Sequence, residues 1–101
     1  MDRLEHIFAL QEGFQARVKR ERHLEEIPPA EWIQKHTLAL LSELTEVLDE
    51  VNFKWWKAPR EIDPSRLHEE LADVLHFYVS MCLEAGMTAE ELYQVYLSKM
   101  K

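Results

Sequence analysis

The chain has 101 residues, 47% of them apolar and 31% charged, and 19 acids against 12 lysines and arginines give a formal charge of −7. That length suits a single domain over residues 1–101, and the acid excess excludes nucleic acid and anionic membranes as partners, since both need a cationic surface. Cys82, the lone cysteine, excludes an internal disulfide and a thiolate metal cluster; with no signal-like apolar start and no run near the roughly 20 apolar residues of a membrane span, a cytoplasmic protein is expected.

A first helix is predicted from about Asp2 to Leu24, where Leu4, Ile7, Phe8, Phe14 and Val18 recur at helical spacing until Pro28 and Pro29 forbid continuation. Gly13 weakens its middle. The second starts after the prolines and runs to about Phe53, with Ile33, Leu38, Leu41, Leu44, Leu48 and Val51 on its apolar side and Glu43, Glu46 and Glu50 as a separate acidic stripe. Lys57 to Ile62 reads as a loop. Asp63 is a favoured N-cap and Pro64 a favoured first residue, so a third helix begins there and runs to about Ala85, where Gly86 is the expected residue past a helix end. Thr88 and Glu91 have the spacing of a capping box and launch a fourth helix to the end. No strand alternation competes. The fold class is all-α: an antiparallel bundle of about four helices, completed by oligomerisation because 3 Trp, 3 Tyr and 4 Phe offer more apolar surface than so small a bundle buries.

Two acidic pairs carry the chemistry. Glu43 with Glu46, and Glu70 with Asp73, are each three residues apart and share a helix face. A short connection makes the two helices antiparallel neighbours, so the four acids converge. Unit charges about 5 Å apart repel by about 3 kcal/mol at an effective dielectric near 20, so such a cluster requires protons or a cation. An oxygen-only set suits Mg²⁺, with Mn²⁺ as a substitute. A single such pair is ordinarily solvated surface; two pairs set in apolar helices are not. Between them, Asn52 to Arg60 interleaves large aromatics with Lys54, Lys57 and Arg60. Tryptophans there serve packing and lysines serve a helix C-terminus in the plain reading; beside a metal they suit phosphates and a base. Phe77 falls on the Glu70 and Asp73 face, where its plain role is core packing, and His76 beside it reads as a hydrogen-bonded structural histidine.

Leu40 to Glu46, Asn52 to Lys57 and Glu69 to Phe77 together resemble the all-α nucleoside triphosphate pyrophosphatases, the dimeric dUTPase branch first and the MazG-like enzymes next. The resemblance extends to Leu10 and Gln11 and to Leu92 through Lys99. It implies a nucleotide diphosphatase that cleaves dUTP to dUMP and pyrophosphate with Mg²⁺, as a homodimer or homotetramer. By that resemblance Glu43, Glu46, Glu70 and Asp73 hold the metal and Glu46 activates water; Lys54, Lys57 and Arg60 hold phosphates; Gln11, Trp55, His76 and Phe77 surround the base. The alternatives are a MazG-like enzyme of other or broader base preference and a non-catalytic helical dimerisation or nucleotide-sensing module. Phe14 stands where the branch tends to carry an amide, and the sequence stops at Lys101, before the Asn- and Arg-bearing segment that relatives close over the phosphates. Nucleotide binding with weak turnover is the expectation from that difference.

Overall fold

A computed structural model describes residues 1–101 and contains helices and their connections only: α1 Arg3–Glu21, α2 Pro29–Glu50, α3 Pro64–Glu84 and α4 Ala89–Lys99. The helix starts follow local chemistry. Asp63 caps α3 by accepting from the backbone of Ser65 and Arg66, with Pro64 in the first turn. Thr88 caps α4 by accepting from the Glu91 N–H, while its own hydroxyl donates to the Glu91 carboxylate, so the Glu91 side chain closes on the hydroxyl and not on backbone. The reciprocal capping box is at α1 instead, between Asp2 and Glu5.

The helix ends come earlier than the apolar pattern implies for α1 and α2. His23 (φ 56°) and Asn52 (φ 58°) adopt the left-handed conformation, as Gly86 (φ 80°) does after α3. At His23 and Gly86 the next N–H reaches back to complete a Schellman closure: Leu24 donates to the Lys19 carbonyl at 2.8 Å and Met87 to the Cys82 carbonyl at 2.9 Å. After Asn52 the Phe53 N–H reaches the Leu48 carbonyl at 3.4 Å. Because α2 stops there, the connection to α3 spans residues 51–63, longer than the predicted loop.

α2 and α3 pack together over most of their length. They run antiparallel: Thr37 meets Met81, the Glu43 and Glu46 pair meets Glu70 and Asp73, and Glu50 meets Arg66, numbers rising on α2 as they fall on α3. α1 joins the C-terminal half of α3 and the start of α4 through a small core of Phe8, Val79, Cys82 and Ala89, flanked by Leu4, Leu83, Met87 and Leu92. Only 8 of 101 residues are buried, and the radius of gyration is 16.1 Å against about 13 Å for a compact domain of this length. The chain is therefore a flat, open assembly of 45 × 40 × 22 Å. No helix is long and apolar enough to cross a membrane.

Candidate metal centre and the pockets beside it

The antiparallel register of α2 and α3 brings Glu43, Glu46, Glu70 and Asp73 together, one carboxylate oxygen from each lying within 4.8 Å of all the others. The electrostatic consequence is direct. A hydrogen bond with Glu46, followed by burial and the negative charges of Glu46, Asp73 and Glu43, pushes the Glu70 carboxyl up to about 7, and burial followed by Glu46 raises Glu43 as well. Oε2 of Glu43 and Oε2 of Glu70 are shut off from solvent without a hydrogen-bond partner. Four convergent hard oxygens, in a cluster where Glu43 and Glu70 each also carry an unpaired buried oxygen, fit a divalent cation, whose charge would offset the repulsion that raises these carboxyls.

One wall of this cluster opens into a cleft of about 620 Å³ to which Glu46 and Glu70 contribute, together with Lys54, Lys57 and Arg60. The segment carrying these cations is pinned at its neck. Asn52 accepts from the Arg60 N–H at 2.9 Å and donates to the Arg60 carbonyl at 2.8 Å, and the Arg60 guanidinium donates to the Asp49 carbonyl at 3.0 Å. Arg66 is a fourth cation in the cleft, held 3.4 Å from the buried Glu50 carboxylate. Sequence reasoning passed over it, although its place four residues before Glu70 puts it on the same face of α3.

Further along α3, and between α1 and α2, lies a second, largely apolar pocket of about 270 Å³. Gln11, His76 and Phe77 all line it. The Gln11 amide donates to Ser80 Oγ at 2.7 Å in a buried contact, and the His76 ring meets Phe14 edge-on at 5.2 Å and Phe77 at 4.9 Å. Phe14, in the place of an amide, is one of the apolar walls. Trp55 does not join them. Trp55 follows the left-handed turn at Asn52, lines neither pocket, packs edge-on against Trp56 and is 85% exposed. The pocket also takes in Trp32 and His36, stacked 5.2 Å apart on α2, which the sequence reading left out; their spacing of four residues was the available signal.

From Glu70 at the cleft, past Asp73, to Phe77 in the pocket is seven residues along one face of α3, about 10 Å at the helical rise. A ligand with an anionic end and a planar end can therefore lie along this face with the acids at its middle. The family model described as dUTPase matches residues 3–101, nearly the whole length. The chain belongs to the dUTPase family. Searches of curated proteins and of solved structures return no match. Family membership carries hydrolysis of the dUTP diphosphatase type, and the all-α fold agrees with it.

Proposed function

We propose that this chain hydrolyses dUTP to dUMP and pyrophosphate with Mg²⁺, for which Mn²⁺ substitutes. The observation that carries the reading is that the oxygen quartet of Glu43, Glu46, Glu70 and Asp73 opens directly onto a cleft whose other wall bears Lys54, Lys57, Arg60 and Arg66. Glu43, Glu46, Glu70 and Asp73 would hold the divalent cation, which would supply charge neutralisation of the triphosphate and lower the pKa of a bound water. The residues do the rest. Glu46 accepts the water proton as general base, the oxygen adds to the α-phosphorus, and the anhydride bond to the β-phosphate breaks. Lys54, Lys57, Arg60 and Arg66 hold the phosphates and neutralise the departing pyrophosphate. Gln11, His76 and Phe77 enclose the base, which orients the α-phosphorus over the acids.

The assembly is at least a dimer. Leu38, Leu41 and Leu48 form one exposed stripe on α2 and Leu71, Leu75 and Tyr78 one on α3, away from the acidic face by helical spacing. A second copy covering them completes the core and leaves the cleft open. The test of the activity is pyrophosphate release with dUTP, dCTP and dTTP side by side, with Mg²⁺ and with chelator, in the wild type and in Glu46→Gln. Mg²⁺-dependent release from dUTP that falls about 10²- to 10⁴-fold in the variant is expected. Equal release in both overturns the role of Glu46, and a preference for dCTP or dTTP moves the chain to the MazG-like side.

A further inference from the structure

Two acids close α2 at the end where a helix disfavours them. Asp49 and Glu50 stand in its last turn, with no basic residue beside them there, although the carbonyl end of the helix dipole repels negative charge. Both also line the cleft of about 620 Å³, which the proposed reaction fills with a triphosphate, so each adds repulsion toward the substrate as well. Their contacts show what offsets this. Asp49 lies 3.9 Å from the Lys54 ammonium and its backbone carbonyl accepts from the Arg60 guanidinium, while Glu50 lies 3.4 Å from the Arg66 guanidinium. The last turn of α2 thus anchors three of the four cations in the cleft, Lys57 being the other.

Glu50 differs from Asp49 in being buried. Its side chain is 9% exposed against 51% for Asp49, so little water screens its charge, and Arg66 is its ion-pair partner. The Arg66 side chain is 62% exposed, and a pair with one end so open to water adds little to stability. A buried carboxylate is also a poor device for joining two helices that already pack along most of their length. What the pair does supply is geometry. With Nη2 facing Glu50, the planar guanidinium is fixed while its other N–H groups remain as donors. Glu50 follows Glu46 by four residues and Arg66 precedes Glu70 by four, so in the antiparallel register the pair forms the next layer after those acids, about 6 Å along the helix axes. Along one stripe of α3 the order is Phe77, Asp73, Glu70, Arg66. With the base at Phe77 and the α-phosphorus over the acids, the departing pyrophosphate falls at Arg66. We propose that Glu50 is a positioning residue for the reaction: its carboxylate holds the Arg66 guanidinium one turn beyond Glu46 and Glu70, against the departing pyrophosphate. This rests on the assignment of the cleft to the phosphates.

The test compares wild type, Glu50→Gln, Arg66→Gln and the double variant. Glu50→Gln keeps the size of the side chain and removes a negative charge from the cleft, so kcat for dUTP should fall about tenfold while KM stays level or drops. In the Arg66→Gln background the same change should lower kcat no further, because Glu50 acts through Arg66. A second readout needs no hydrolysis: with arginine side chains labelled in ¹⁵N, inorganic pyrophosphate and Mg²⁺ should give a saturable shift of the Arg66 Nε resonance, identified by its loss in Arg66→Gln, and a weaker shift in Glu50→Gln. An Arg66 resonance that stays still while dUTP is turned over overturns the proposal and leaves the hydrolase standing. A pyrophosphate-dependent shift that Glu50→Gln weakens, with no triphosphate hydrolysed, supports the positioning role and overturns the hydrolase instead. Glu50→Gln that lowers thermal stability but leaves kcat and the Arg66 shift unchanged makes the pair a tie between helices and overturns the proposal, as does an equal loss of kcat with and without Arg66.

Discussion

Glu70 illustrates how much a single position carries. Its carboxyl is pushed up to about 7, from 4.5, by its hydrogen bond with Glu46, by burial and by the surrounding acids. The folded chain therefore keeps a proton there that the unfolded chain has already lost, so this group's contribution to stability is present below the unfolded value and falls as pH rises through 4.5 to about 7. Metal-free wild type should lose urea stability between about pH 5 and about pH 8 by more than Glu70→Gln does; parallel pH profiles for the two would remove the shared-proton account. The same variant, and Asp73→Asn, should lose Mg²⁺-dependent turnover without becoming less stable in chelator, because each relieves like-charge repulsion in the cluster. Turnover at the wild-type rate in both would defeat the four-carboxylate site.

At the scale of the element, the connection between α2 and α3 matters most, because its shape presents the lysines to the cleft. Asn52 closes both its own left-handed turn and the neck of the loop through its two bonds to the Arg60 backbone. Asn52→Ala should raise KM for dUTP more than it lowers kcat, since the four carboxylates proposed to hold the metal lie on α2 and α3 and only the loop cations are released; an unchanged KM would show that Lys54 and Lys57 are held by other means. The N-cap of α3 is a cleaner structural case. Asp63→Ala removes the acceptor for the Ser65 and Arg66 N–H groups and should cost about 1 kcal/mol in denaturant unfolding.

The whole molecule is flat and its core is thin, which is the ground for the proposed assembly with a second copy. Leu38 is 67% exposed and Leu71, Leu75 and Tyr78 are each near half exposed on the adjoining helix, more large apolar side chains than an isolated bundle of this size ordinarily leaves in water. Light scattering at micromolar concentration should give at least a dimer, and Leu38→Glu with Leu75→Glu should shift it toward monomer with lower thermal stability. A compact, stable wild-type monomer would contradict this reading of the exposed stripes.

The amino-acid sequence alone determined what depends on neighbours in the chain. Apolar spacing marked the helices, Asp63 with Pro64 and Gly86 marked the ends of α3, and the two acidic pairs each had to share a face. The ends at His23 and Asn52 were hidden, because residues other than glycine enter the left-handed region too seldom to mark a helix end by themselves, whereas Gly86 does so at no steric cost. Only the tertiary structure decided which distant groups meet. The antiparallel register of α2 and α3 closed the quartet and added Arg66, and the packing of α1 beside them brought Gln11 together with His76, Phe77, Trp32 and His36 while leaving Trp55 in the exposed connection. Spacing along a helix sets a side chain's direction, but the partner it faces is fixed by the packing of helices far apart in sequence.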